Sequence, residues 1–374
     1  MTNGSIQALT MPKWGLAMKE GKVGEWLTEE GFEITTGEEV LEVETDKITS
    51  AVETPHNGIL CRKVASSGEV LPVGSLLAVI AESSVPQEMI DHFIEDFQQN
   101  FVEEETLEED LGPQPQSVET DSGRIQYLKQ GEGEASVILL HGFGGDLNNW
   151  LFNHPALSEN HSVYAFDLLG HGGSSKEVGD GSIFTLTNSI LQAVSRIGIE
   201  NSNWVGHSLG GAIAMNAAKI SPETVKSLTL IASAGLGAEI NSSYLKGFSE
   251  SQSRRELKPH VELLFNDPSL VTRQLLEDLL KFKRIDGVQE SLLKIRNDFI
   301  QDDLQVNQWR DVLENESLKT LAIWGDNDQI LPSNHTSELP THVQVQILEG
   351  YGHMVQMEAA MEVNRLILQF WENC

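Results

Sequence analysis

Residues 204–212 read Trp204-Val205-Gly206-His207-Ser208-Leu209-Gly210-Gly211-Ala212, and they decide the architecture of the larger part of the chain. Two β-formers lead into a Gly-x-Ser-x-Gly pentapeptide, and a helical run, Ala212 to Ile220, leads out. A serine in that setting stands on a sharp strand-to-helix turn. The glycines let the backbone reverse and let neighbouring elements approach, and the hydroxyl projects at a helix N-terminus, where backbone N–H groups favour developing negative charge. A serine hydroxyl is a weak nucleophile, so a base must stand beside it.

Candidates for that base and its supports lie at other strand ends. Downstream, Ile347-Leu348-Glu349-Gly350-Tyr351-Gly352-His353-Met354 puts His353 on a glycine-flanked loop after a strand. Ile323-Trp324-Gly325-Asp326-Asn327-Asp328 puts two acids after the strand before it, and the order serine, acid, histidine suits a strand-built site. Upstream, His141-Gly142-Phe143-Gly144-Gly145 can offer the backbone N–H of Phe143, paired with that of Leu209, to an oxyanion. Asp167 and His171, in the segment Phe166 to Ser174, read as structural. Apolar runs at Val137–Leu140, Val163–Phe166, Trp204-Val205, Ser227–Ala232, Leu321–Trp324 and Val343–Leu348 alternate with helix-sized segments. That alternation predicts a mostly parallel sheet covered on both faces. Residues 237–318 exceed a simple connection and carry helical patterning such as Leu275, Leu276, Leu279, Leu280 and Phe282, which predicts an inserted helical cap.

These segments together resemble the α/β-hydrolase family over residues 123–374. The family pattern of Trp-Gly, two residues, Asp, then Pro is matched by Trp324, Gly325, Asp328 and Pro332, so the resemblance implies Asp328 as the acid, with Asp326 as runner-up.

The first 82 residues have another texture. Short apolar runs between glycines from Gly15 to Gly74 predict many short strands joined by tight turns. A weak repeat of 37 residues relates Gly31 and Gly37 before Val40–Val43 to Gly68 and Gly74 before Leu76–Val79, as in a flattened barrel or sandwich of two similar halves. Between the halves, Glu44-Thr45-Asp46-Lys47-Ile48 reads as a polar turn with Lys47 at its exposed tip. With Met11-Pro12-Lys13-Trp14-Gly15 and Gly24-Glu25-Trp26, this segment resembles the lipoyl domain of 2-oxo acid dehydrogenase complexes. The resemblance implies lipoate in amide linkage on Lys47. A biotin-carrying domain shares the fold, but Ala17-Met18-Lys19 matches its signature only in part, and Lys19 reads as ordinary surface.

Residues 83–122 join the two parts. The segment 83–123 holds 12 acids and no base, and with Pro113 and Pro115 it reads as a solvated linker. Within it Met89, Ile90, Phe93, Ile94, Phe97 and Phe101 recur at helical spacing, so an amphipathic helix is expected, packed on the neighbouring domain or docked on a partner subunit.

Composition sets the outer limits. At 374 residues two or three domains are expected. A formal charge of −31 repels phosphate backbones and anionic lipid, which disfavours nucleic acid and membrane surfaces as partners. Two cysteines, Cys61 and Cys374, make no disulfide framework, no apolar run approaches a membrane span, and no metal site is expected. A soluble, cytoplasmic protein follows as the expectation.

The pairing of a lipoyl-like domain with an α/β-hydrolase-like one resembles the acyltransferase (E2) components of acetoin dehydrogenase complexes. The resemblance implies a multidomain fold, all-β flattened barrel plus capped α/β-hydrolase. Its implied activity is acetyl transfer from S-acetyl-dihydrolipoyl-lysine to coenzyme A through Ser208, with His353 as base and Asp328 orienting it. The implied partners are a thiamine-diphosphate-dependent E1 and a flavin-dependent dihydrolipoyl dehydrogenase, within an oligomeric complex. The His-x-x-x-Asp-Gly signature of the usual E2 catalytic domain is absent, its imitation at Asp91–Asp96 reads as coincidence, and no basic subunit-binding domain is recognisable. Two alternatives remain on sequence alone: a serine hydrolase of esters, thioesters or C–C bonds with an appended lipoyl domain, and a non-enzymatic acyl-carrier scaffold.

Overall fold

The computed structural model describes residues 6–12, 20–44, 49–101 and 113–373. The chain divides into two compact units, 1–112 and 113–374.

The first unit is built from two four-stranded antiparallel sheets. One runs in the order Ile6–Thr10, Leu76–Ala81, Gly58–Lys63, Glu33–Ile34, and the other Thr49–Glu53, Glu39–Glu44, Glu20–Trp26, Val70–Pro72. Leu9, Val23, Val40, Val43, Leu60, Leu77 and Ile80 form its core. The repeat in the sequence has a backbone cause. Gly31 and Gly68 both turn at φ +89°, and Gly37 and Gly74 at +87° and +84°, conformations that cost a residue with a Cβ about 1 kcal/mol or more. Glu44 pairs with Thr49, the last described pair before residues 45–48, where the Lys47 tip is expected. Lys47 itself, with Lys13, Trp14, Met18 and Lys19, lies outside the described residues.

The expected linker 83–122 is shortened from both sides. A helix, Gln87–Asn100, buries Ile90 against Leu76 and Val79 of the first unit, with Phe93, Ile94 and Phe97 beside it and Arg62 bonded to Asp91 at 3.0 Å. Of the two expected destinations for this apolar face, the neighbouring domain is the one it packs on. At the other side the second unit starts at Pro113, not at residue 123, because Gln116–Thr120 pairs antiparallel with the strand that follows it.

The second unit is organised on an eight-stranded sheet. Its strands are β1 (Gln116–Thr120), β2 (Gly123–Gln130), β3 (Ser136–Leu140), β4 (Ser162–Phe166), β5 (Ser202–His207), β6 (Val225–Ile231), β7 (Lys319–Gly325) and β8 (Gln344–Leu348). The spatial order is β8-β7-β6-β5-β3-β4-β2-β1. The strands from β3 to β8 are parallel, and only β1 and β2 run antiparallel to their neighbours. Two separate apolar clusters flank the sheet, as expected for strands buried on both faces. One face is covered by α1 (Ile183–Ile197) and α2 (Leu209–Ile220), the other by α7 (Ala360–Trp371). Between β6 and β7 the chain leaves the sheet to form α3 (Ser242–Glu250), α4 (Arg254–Glu262), α5 (Arg273–Lys283) and α6 (Val288–Phe299). These four helices fall within the span 237–318 expected to form a cap. Among the described residues no helix is long and apolar enough to cross a membrane.

Candidate active site

Ser208 sits between the end of β5 and the first residue of α2 with φ 53° and ψ −118°, a conformation strained for a residue with a side chain. Surrounding hydrogen bonds over-determine it. The Ser208 N–H donates to Ile231 O at 3.0 Å, and the Ser208 carbonyl accepts from the N–H groups of Gly211 and Ala234 at 2.9 and 3.0 Å. The turn is tight enough that a Cβ on Gly206 would overlap the Gly210 backbone, and one on Gly210 would overlap the Leu140 carbonyl. This is the steric reason for the glycines of the pentapeptide.

His353 and Ser208 line the same cavity. The Nδ1 of His353 lies 2.8 Å from Asp328 Oδ2, and both side chains are buried. The other oxygen, Oδ1, accepts the N–H groups of Ile330 and Leu331 at 2.8 and 3.0 Å. An ionised carboxylate only accepts, so Nδ1 is the donor in this contact and Nε2 is the nitrogen left to act as a base. Asp326 does something else: its Oδ1 accepts the Gly350 N–H at 2.7 Å and stays exposed. The structure thus brings Asp328 to the histidine, and not the runner-up.

The Phe143 loop approaches the serine from the opposite side. The backbone at Gly142 passes so close that a Cβ there would come within 3.0 Å of Ser208 Cβ and of His207 Nδ1. Neither the Phe143 nor the Leu209 N–H donates to an acceptor among the described residues. Donors in that state beside a nucleophile can bind a tetrahedral oxyanion.

Three buried histidines hold this loop and the base. His171 accepts the Gly144 N–H at Nε2 (3.0 Å) and donates from Nδ1 to Leu169 O (3.0 Å). His141 accepts the Leu168 N–H at Nε2 (3.1 Å) and donates from Nδ1 to Gly142 O (2.8 Å). Each ring uses one acceptor and one donor nitrogen, which only the neutral form provides. Burial pushes the pKa of His141 down to about 4 and that of His171 to about 3, the second also through its neighbour His141. His207 donates from Nε2 to the backbone carbonyl of His353 at 3.0 Å, and burial followed by the adjacent His353 holds its pKa well below the usual range. Asp167 braces the loop from beneath by accepting from Leu147 N, Gly173 N and Gln126 Nε2. Burial raises its carboxyl to about 6. His171 and Asp167 thus take the structural part expected of them, and His207, for which none was expected, joins them. His207's contact joins residues 146 apart in sequence, and no local pattern could signal it.

The cap closes the cavity over these groups. Tyr244 and Phe248 of α3, Val261 of α4, Leu275 and Leu279 of α5, and Phe299 of α6 form an apolar wall around about 870 Å³ of empty space, part of it open to solvent. Lys283 fixes one end of that wall from beneath, its buried ammonium donating to the carbonyls of Phe248 and Ser251 at the end of α3. Among the described residues no three His, Cys, Asp or Glu side chains converge as a metal site. The arrangement offers a hydroxyl, an oriented imidazole, two N–H donors and a largely apolar chamber, a set that can carry out acyl transfer.

Comparison with known proteins agrees with this division. A family model described as alpha/beta hydrolase fold matches residues 135–360, and one described as biotin-requiring enzyme matches residues 7–80. The chain is 47% identical over 366 residues to the dihydrolipoyllysine-residue acetyltransferase component of acetoin cleaving system of Pseudomonas putida, covering 98% of both chains. With the protein of the same description from Cupriavidus necator it shares 43% identity, covering 97% of this chain and 96% of that one. Among solved structures, a meta-cleavage product hydrolase from Pseudomonas fluorescens superposes with a TM-score of 0.63 at 26% identity, covering 69% of this chain and 97% of that chain.

Proposed function

We propose the following reaction for this chain, which belongs to the family of dihydrolipoyllysine-residue acetyltransferase components of acetoin cleaving systems: transfer of an acetyl group from a dihydrolipoyl thioester to coenzyme A through an acyl-serine on Ser208. Lipoate in amide linkage on Lys47 supplies the thiol that carries the acetyl group on a long arm. Ser208 Oγ attacks the thioester carbonyl while His353 Nε2 takes its proton, and Asp328 stabilises the imidazolium through Nδ1. The N–H groups of Phe143 and Leu209 hold the oxyanion. His353 returns the proton to the departing thiolate, leaving the acetyl ester on Ser208. In the second half His353 deprotonates the coenzyme A thiol, which attacks that ester, and the same imidazolium returns the proton to the departing Ser208 alkoxide. One C–S bond is broken and one formed, and no oxidant is needed.

The observation that carries this reading is the union of both parts in one chain: the 47% identity to the acetoin-system component runs through the all-β unit as well as the serine site. A chain built only to hydrolyse would have no use for the first unit. As a component of an acetoin cleaving system the protein works with other subunits. We assign these as a thiamine-diphosphate-dependent E1 that loads the arm and a flavin-dependent dihydrolipoyl dehydrogenase that reoxidises it, in the cytoplasm.

The test is to present acetylated, lipoylated protein with and without coenzyme A. Acetyl-coenzyme A is expected only when coenzyme A is present, and is lost in Ser208→Ala and in Lys47→Arg. Release of free acetate with no acetyl-coenzyme A refutes the transferase reading.

A further inference from the structure

Tyr244 lies in the first turn of α3, after the cap residue Asn241, and is only 3% exposed. It lines the cavity, yet its phenol makes no hydrogen bond with any described residue, and burial alone drives its pKa well above the usual value. The ring is buried but the hydroxyl oxygen keeps accessible area on the cavity side, so its proton is offered to whatever occupies that space, a donor that phenylalanine would not supply. The ring is third in a file that starts at the oxyanion loop: Phe143 to Phe248 is 6.0 Å between centroids, and Phe248 to Tyr244 is 5.9 Å. The file leads from the reacting centre along a wall whose other members, Leu275, Leu279 and Val261, suit methylene groups.

A molecule that enters the cavity therefore meets this donor. A phenol that stays protonated is a donor, and an acceptor is needed part-way along an aliphatic chain whose end reacts at Ser208. An aliphatic arm with a terminal thiol and a secondary amide has that form.

Resting on the acyl-transfer reading of Ser208, we infer that Tyr244 is a specificity residue whose O–H donates to the amide carbonyl of the thiol-ended arm bound in the cavity. Two arms of this chemistry meet the site, the pantetheine arm of coenzyme A and the lipoyl-lysine arm, and a matched pair of probes separates them. With full-length Tyr244→Phe and wild type, the acceptor side compares N-acetylcysteamine, which keeps the pantetheine amide, with ethanethiol, which lacks it, using p-nitrophenyl acetate as acetyl source. The donor side compares S-acetyl-dihydrolipoamide with ethyl thioacetate, using coenzyme A as acceptor. The expected result is a loss of about tenfold in the kcat/KM preference for the amide-bearing compound on one of the two sides, which identifies the arm. A variant that lowers amide-bearing and amide-free compounds equally on both sides has only a packing defect, and that outcome overturns the inference while the transferase reading stands. Wild type that releases acetate and transfers to no thiol removes both.

Discussion

The neutral histidines behind the Phe143 loop are expected to make the second unit sensitive to mild acid, and His171→Gln measures by how much. In the folded chain His171 resists protonation down to about pH 3 and His141 to about pH 4, whereas both titrate near 6.5 once unfolded. Below 6.5 the unfolded state binds protons that the folded state refuses. Their contribution is therefore present above 6.5 and is lost at about 1.4 kcal/mol per pH unit per ring as pH falls. By pH 5 the two rings together remove about 4 kcal/mol. Asp167 acts in the opposite direction: with its carboxyl raised to about 6, the folded state binds a proton first, and stability is regained as pH falls below that value. At pH 5 this restores about 1 kcal/mol, leaving a net loss near 3 kcal/mol, a large share of an ordinary 5–15 kcal/mol. His207, also held neutral, adds to the loss. Glutamine at 171 keeps an acceptor for Gly144 N–H and a donor for Leu169 O but does not titrate. Urea unfolding followed by tryptophan fluorescence reports mainly on the second unit, which contains five of the seven tryptophans. Between pH 6.5 and 5 the variant is expected to lose about 2 kcal/mol less than wild type, whatever its stability at neutral pH. Equal pH slopes in the two proteins, or a wild type that gains stability over this range, would refute the assignment of His171 as a buried neutral ring.

Asp328→Asn should lower the rate of acetyl transfer by about 10⁴, because an amide no longer fixes the Nδ1–H tautomer, whereas Asp326→Asn, which alters only the Gly350 contact, should change it less than twofold; steady-state acetyl-coenzyme A formation separates them. Gly142→Ala forces a Cβ to 3.0 Å from both Ser208 Cβ and His207 Nδ1, so the loop must shift and the rate should fall about 10²–10³-fold while far-ultraviolet circular dichroism stays unchanged. Ile90→Ala, at the centre of the helix Gln87–Asn100, should cost the first unit about 2–4 kcal/mol in thermal unfolding and leave p-nitrophenyl acetate turnover at Ser208 intact.

The parts of this molecule that were legible in the sequence are those whose physics is local. The parallel strands announce themselves because burial on both faces demands continuous apolar runs, and β3 to β7 are found where those runs lie. The turn glycines at 31, 37, 68 and 74 are visible as a repeat because each turn needs the same left-handed backbone. β1 was illegible for the converse reason. Gln116-Ser117-Val118-Glu119-Thr120 is an edge strand with a single half-buried apolar residue, and in an acidic context it reads as linker. Residue spacing could not separate Asp326 from Asp328 by itself. The distinction lies in which carboxylate is buried behind His353, and two N–H groups three residues or fewer downstream hold it there. Tyr244 carried no signal at all, since its meaning is the position of its hydroxyl in a cavity that four helices create together.

That cavity also bears on why a serine site of this type transfers rather than hydrolyses. Bulk water is on the order of 10⁴–10⁵ times more concentrated than a millimolar thiol, so the acyl-serine must prefer the thiol by about 6–7 kcal/mol before transfer dominates. The greater nucleophilicity of a thiolate covers part of this, since the thiol loses its proton far more readily than water does at a neutral imidazole. On the proposed mechanism, the remainder has to come from keeping water away from the Ser208 ester and from binding the incoming arm. The first is the property of a chamber walled by Phe248, Leu275, Leu279 and Phe299, where a water molecule finds few partners to compensate its loss of bulk hydrogen bonds. The second is a demand on the few polar side chains in that wall. Opening the chamber is therefore expected to change the product more than the first chemical step. Leu279→Ser should leave the burst of serine acylation by p-nitrophenyl acetate within a few-fold of wild type while raising the acetate to acetyl-coenzyme A ratio about tenfold, as about 1.4 kcal/mol of partition would dictate. An unchanged ratio would mean that the apolar wall does not govern the choice between thiol and water.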